Sequence, residues 1–195
     1  MTTAKTDTRQ TILDTAERLM VQKGYSAVGL TEVLTTAGVP KGSFYHYFNS
    51  RDAFGEAMLQ NYFTGYLANM NRIIATPGAS PAQQLMTYWQ QFYDKQTVDE
   101  CQGRCLVVKL AAEVSDLSEP MRLILQQGTA GILERLERML AAGIEDGSVS
   151  LDVTPAVAAN TLYSAWIGAS VLAKVNRSPE QLDTVMAYTR QMLNI

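Results

Sequence analysis

Apolar residues recur along the chain at the three-and-four spacing of helices, and no stretch alternates as a half-buried strand would. Ile12, Leu13, Ala16, Leu19 and Met20 share one face of a helix expected over Thr8–Lys23, after an arm of residues 1–7 and before Gly24, which ends it. A short helix follows with Val33, Leu34 and Ala37 on one side, and Thr31 is expected as its N-cap, the hydroxyl taking an orphan amide. Gly38-Val39-Pro40 then makes a tight connection. Glycine accepts a left-handed backbone and Pro40 keeps Val39 out of helical geometry, so a second short helix starts afresh at Lys41 and runs to Tyr47. Two short helices joined by about three residues have the spacing of a helix-turn-helix.

Downstream, Arg51 to about Thr76 reads as one long helix after the capping pair Asn49-Ser50. Phe54, Met58, Tyr62, Phe63, Tyr66, Leu67, Met70, Ile73 and Ile74 cover so much of its circumference that it must be buried on more than one side. Ser80-Pro81 opens the next helix, whose inner face carries Leu85, Met86, Tyr88, Trp89, Phe92 and Tyr93. A polar loop over Thr97–Gly103 precedes helices at Arg104–Val114 and Ser118–Asp146, the second closed by Gly147. Thr154-Pro155 and Ser178-Pro179-Glu180-Gln181 open the last two, the latter with capping-box spacing. The expectation is an all-α chain of about nine helices, with a three-helix DNA-binding unit over 1–50 and a helical effector-binding and dimerisation domain over 51–195.

The faces of the last two helices suit close packing: Ala158, Leu162, Ala165, Trp166, Gly168, Ala169 and Leu172 on one, Leu182, Val185, Met186, Thr189 and Leu193 on the other. Such a pair serves as intrachain core or as half of a two-fold four-helix seam.

Composition changes this picture in three respects. The net charge of −3 at first argues against a nucleic-acid partner, yet residues 1–50 hold five Lys/Arg against four Asp/Glu and the remainder eleven against fifteen. DNA binding must therefore rest on a few placed cations, Lys5, Arg9, Lys41 and Arg51, and on a second copy of them. The N-terminus has no apolar core of the secretory kind and no run of membrane-spanning length is evident, which points to a cytoplasmic protein without a membrane partner. Two cysteines, Cys101 and Cys105, with one distant histidine cannot complete a zinc set, and no metal or cofactor is expected.

The Lys41–Tyr47 helix is unusual for a core element. Lys41, Ser43, Tyr45, His46 and Tyr47 are all donors, and Gly42 removes side-chain bulk so that backbone can approach a duplex, whereas Phe48 suits an anchor in the core. Burying these groups instead would leave three hydroxyls and an imidazole in need of partners. The run Val39-Pro40-Lys41-Gly42-Ser43-Phe44-Tyr45-His46-Tyr47-Phe48, followed by Asn49-Ser50-Arg51, resembles the signature of TetR-family transcriptional repressors. That resemblance implies phosphate contacts from Lys41, Tyr47 and Arg51, groove contacts from Gly42, Ser43, Tyr45 and His46, a palindromic double-stranded operator, and a homodimer joined through its last helices by residues such as Leu162, Ala165, Trp166, Ala169, Leu172, Val185, Met186 and Thr189; Thr31 is expected among the DNA-binding residues as well.

Cys105 falls at the start of a predicted helix with Arg104 before it and Lys109 four residues on, each of which favours thiolate, while burial would oppose it. The segment GRCLVVKLAAEVSDLSEPMR resembles the branch of the family that responds to N-ethylmaleimide and other electrophiles, with Cys105 at its sensor position. The run Ala173-Lys174-Val175-Asn176-Arg177-Ser178 resembles that branch too, which makes Lys174, beside the nearer Lys109, a partner for an oxidised Cys105. The chain departs from the branch at Arg104, where glycine is usual, at Ser115, where a cysteine is usual, and in having Cys101, which can resolve a sulfenic acid as a disulfide. A related subgroup senses small organic acids without covalent chemistry, and Arg104 or Lys109 would then hold a carboxylate. Tyr66, Trp89, Tyr93 and Trp166 are the expected pocket walls in either case. A thiol-dependent detoxifying enzyme finds little support, because the one histidine lies in the reading helix and no glycine-rich nucleotide loop follows a strand. A helical carrier of hydrophobic molecules leaves the donor-rich helix unexplained.

Overall fold

A computed structural model describes residues 7–195, so Lys5 and the start of the expected arm lie outside the described residues. The chain forms α1 (Thr8–Lys23), α2 (Leu30–Ala37), α3 (Lys41–Tyr47), α4 (Arg51–Ile74), α5 (Pro81–Cys101), α6 (Leu106–Leu117), α7 (Glu119–Glu145), α8 (Pro155–Asn176) and α9 (Glu180–Leu193), with no strand among the described residues. Helices α1 to α3 build one end. The other six pack as layers in which α7 lies against α4, α5, α6 and α8, and α9 covers α8.

The three-helix end forms as its sequence dictates, with one correction. Gly38 takes the left-handed conformation (φ 68°, ψ 28°) and its N–H reaches the carbonyls of Leu34 and Thr35, while the Val39 N–H bonds the Leu34 carbonyl at 2.9 Å. Pro40 then starts α3. Thr31, however, is not a cap: α2 begins one residue earlier at Leu30, with extended Gly29 at the N-cap and no side-chain bond there. Glycine carries no side chain to take the orphan amides, so they are left to solvent. Phe44, Phe48 and Phe54 form a cluster with ring centroids 5.1–5.4 Å apart, fastening α3 onto the first turn of α4.

Ser50, Ser80, Ser118 and Thr154 cap α4, α5, α7 and α8 by accepting the expected N–H bonds. The capping box sits at α5, where Ser80 and Gln83 bond each other reciprocally. It does not form at Ser178: that hydroxyl accepts from Glu180, and Gln181 Oε1 is buried without a partner among the described residues. The irregular segment expected over Thr97–Gly103 is a left-handed turn at the end of α5, with Asp99, Glu100 and Cys101 at φ 50°, 57° and 62°. Three consecutive non-glycine residues there cost about 1–2 kcal/mol each.

Helix α8 alters two expectations. By length and composition it can cross a membrane, contrary to the expected lack of such a run, but 44% of its most apolar stretch is buried inside the protein. Its inner face is also intrachain core rather than seam. Trp166 stacks on Trp89 with centroids 5.0 Å apart and planes 8° from parallel, and its Nε1–H donates to Thr189 Oγ1 at 3.0 Å. Leu162, Trp166 and Thr189 are therefore closed off, Val185 and Ala169 nearly so, whereas Leu172 is exposed and Ala165 and Met186 are half-buried. What faces outward is Val157, Val171, Leu172 and Val175 on α8 and Tyr188 on α9.

Helices α4 and α7 cross at Gly128, where a Cβ would lie 2.3 Å from the Phe63 ring. Gly128→Ala must displace a buried aromatic ring and is expected to cost about 1–3 kcal/mol in urea unfolding. Gly65→Ala, on α4 with open space around it, should be neutral or stabilising by about 0.5–1 kcal/mol. Equal responses from the two variants would contradict this crossing.

Candidate functional site

Helix α3 turns its donors outward. Tyr45 is 59% exposed and Tyr47 37%, Lys41, Gly42 and His46 are exposed, and Ser43 is half-buried, while Phe44 points into the core at 1%. The spacing explains this: Phe44 and Phe48 are four apart on one side, leaving the rest of a two-turn helix to solvent. Thr31 is exposed on the second residue of α2. Arg9 lies over the Phe48 ring, 5.5 Å from its centroid, at the edge of this surface.

Arg51 does something other than what the motif implies. Its Nη2 donates to the carbonyls of Tyr25 and Val28, both at 2.9 Å, and its guanidinium sits 5.0 Å from the Tyr25 ring, whose hydroxyl donates back to the Arg51 carbonyl. The charge that was expected on phosphate is spent on the α1–α2 turn. The same turn is held from the opposite side by Glu113 on α6, whose carboxylate accepts the N–H groups of Tyr25 (3.0 Å) and Ser26 (2.7 Å). Burial alone would raise the Glu113 pKa; bonds from Ser26 and Tyr25, with Lys109 nearby, outweigh it and hold the carboxyl below its ordinary value. Nothing in the spacing of α6 marked Glu113 out.

Cys105 is the N-cap of this same α6. It is buried, and the Tyr62 hydroxyl lies 3.6 Å from its sulfur. Burial pushes the thiol up; amides of Val107 and Val108, the Tyr62 hydroxyl and the charge of Lys95 pull it part of the way back. Lys95 of α5 is thus a cation whose charge bears on the thiol. Arg104 is instead 3.3 Å from Asp99 on the surface, and Lys109 lies beside Glu113 and Lys174. Burial raises the phenols of Tyr62, Tyr66, Tyr88 and Tyr163 around the thiol, and Tyr66 and Tyr88 share a 2.9 Å hydroxyl bond.

Cys101 is buried in different surroundings, near Tyr93 and Asp183, and both thiols are free. Lys174 Nζ donates to the Gln102 carbonyl at 2.6 Å, not to Cys105, and together with Arg104 lines a cavity. Of the expected pocket walls Tyr66 borders a cavity: with Tyr62, Asn61, Arg72 and Lys95 it lines a space of about 490 Å³ between α1 and α4. Trp89 and Trp166 are locked in their stack. The Tyr93 hydroxyl donates to Asp183 at 2.7 Å, which together with burial and the Asp183 charge pushes its pKa to about 12.

A three-helix unit with an outward donor row, clamped onto a larger helical body that holds a separate chemical centre, is the plan of an effector-responsive transcriptional regulator. The family model for bacterial regulatory proteins of the tetR family matches residues 12–58, and that for the tetracyclin repressor-like C-terminal domain matches 81–189. The chain belongs to the TetR family. It is 37% identical over 187 residues to the HTH-type transcriptional repressor NemR of Escherichia coli K12, covering 96% of this chain and 94% of that one. It is 30% identical over 167 residues to the transcriptional regulator AcuR of Cereibacter sphaeroides, covering 84% and 74%. The crystal structure of E. coli NemR in its reduced form superposes with a TM-score of 0.90 at 39% identity, covering 96% of this chain and 97% of that one.

Because its folded pKa is lowered, the Glu113 clamp contributes its full stability above the ordinary carboxylate pKa and loses it as pH falls through the folded value. Glu113→Ala should cost about 1–2 kcal/mol in urea unfolding at pH 7. That difference should shrink as pH drops below roughly 4.5; a gap that stays constant down to pH 3 would show that the carboxylate does not hold the turn.

Proposed function

We propose that the chain is a cytoplasmic homodimeric repressor that reads a palindromic operator with two copies of α3 and leaves it when Cys105 is modified. Lys41 and Tyr47 meet phosphates, and Gly42, Ser43, Tyr45 and His46 meet the groove. The second copy packs against the outward face of α8 and α9, where Ala165, Gly168, Ala169, Leu172, Val185 and Tyr188 border a mostly apolar groove of about 500 Å³. The domains divide as 1–50 for DNA and 51–195 for sensing and pairing.

The observation that carries this reading is that one helix bears both the thiol and the clamp. Cys105 caps α6 and Glu113 lies eight residues along it, about 12 Å at 1.5 Å per residue. A Michael acceptor adds its electron-poor carbon to sulfur and takes the thiol proton on the neighbouring carbon; hypochlorous acid yields a sulfenic acid and releases chloride and a proton. Either product enlarges a side chain that the fold encloses. Overpacking of about 1–3 kcal/mol in such a site is relieved by moving α6. A few kcal/mol between two states is what switching requires.

In a mobility-shift assay Lys41→Ala and Tyr45→Ala should abolish operator binding while the dimer persists in gel filtration; unimpaired binding by both would remove this assignment. Cys105→Ser should bind the operator as the parent does and ignore quinones, aldehydes and hypochlorite. Full release of Cys105→Ser by those agents would leave a thiol-independent effector, such as a small organic acid or apolar ligand in the C-terminal domain.

A further inference from the structure

A second cavity, of about 450 Å³, opens between α1, the 99–104 segment and α8. Three cations from three different elements line it: Arg18 of α1, Arg104 after the left-handed turn, and Lys174 near the end of α8. A single carboxylate, Asp99, shares the lining, and it is taken by Arg104 at 3.3 Å. Neither Arg18 nor Lys174 has a carboxylate within ion-pair distance among the described residues: Arg18 Nη2 reaches only Thr15 Oγ1, at 3.4 Å, and Lys174 Nζ only the Gln102 carbonyl. Beyond Arg18 and Arg104 the surface turns acidic at Asp14 and Glu17, which confines the basic part to the Lys174 end.

We propose that this cavity binds a compact oxyanion, a carboxylate or phosphate group on a small molecule, between Arg18, Arg104 and Lys174. The charge pattern favours it: three cations against one already paired carboxylate leave two donors whose natural complement is an anion. Burial and the charge of Lys109 both weaken the protonated form of Lys174, and a bound anion reverses that. Val21 and the aliphatic stems of the cations supply an apolar wall for the remainder of the molecule.

The site also joins parts that the proposed function needs to couple. Arg18 rides on the helix against which α2 packs, whereas Arg104 and Lys174 belong to the sensing body. An anion held by all three ties α1 to α8 and to the strained turn that precedes Cys105. This regulatory role rests on the repressor reading; binding itself does not.

The test is isothermal titration of the full chain with sodium succinate and, separately, with inorganic phosphate, at constant ionic strength set by chloride. At least one should bind, and Arg18→Gln and Lys174→Gln should weaken it about tenfold or more, while both variants keep the parent's melting temperature in chloride alone. Binding of succinate but not phosphate assigns a carboxylate; the reverse assigns a phosphate group. No heat with either anion, or equal affinity in parent and variants, overturns the site. A parent chain that binds the anion but no operator would sink the repressor reading and leave the site standing.

Discussion

The peptide groups of the α1–α2 turn are gripped from two sides by opposite charges. Glu113 takes the N–H groups of Tyr25 and Ser26, and Arg51 takes the carbonyls of Tyr25 and Val28. Within the turn the Tyr25 carbonyl finds one backbone donor, the Val28 N–H at 3.4 Å, and the side chains supply the rest; a buried group left unpaired costs about 1–3 kcal/mol. The carboxylate comes from α6 and the guanidinium from α4, so the orientation of the three-helix unit is set by two helices of the larger body. Tyr62 beside the thiol and Arg51 on the turn both belong to α4, which also meets α3 directly through Phe54, while Cys105 and Glu113 both belong to α6.

The thiol illustrates how burial and reactivity oppose each other. Enclosure among phenols raises its pKa and slows attack on an electrophile, while amides at the helix start, the Tyr62 hydroxyl and the charge of Lys95 restore part of the thiolate. The same enclosure makes any adduct disruptive. A fully exposed cysteine would react faster and change nothing around it.

Local signals read well. Thr8–Lys23 and Lys41–Tyr47 form as the apolar spacing and Gly38-Val39-Pro40 dictate, and serine or threonine caps placed four of the later helices. The outward row on α3 was legible because too many polar groups crowd one short helix to be hidden. Contacts between distant segments were not. Arg51 has the look of a phosphate ligand, and only the fold brings carbonyls 23 and 26 residues away into its reach. Glu113 bonds amides 87 and 88 residues away, and the charge of Lys95, on the preceding helix, bears on Cys105. Trp166 and Thr189 fit either side of their helices by periodicity alone; the indole–hydroxyl bond between them decides for the interior. Small-residue helix faces carry no mark of whether their partner lies in the same chain.

The Phe63–Gly128 contact has a mechanical consequence. Where α4 meets α7 the spacing leaves no room for even a methyl group, so α4 can pivot there but cannot slide or roll freely. From Phe63 to Arg51 is twelve residues, an arm of about 18 Å, and a tilt of about 5° about that fulcrum sweeps the Arg51 end through roughly 1.6 Å. Excursions of that size exceed the slack of a hydrogen bond.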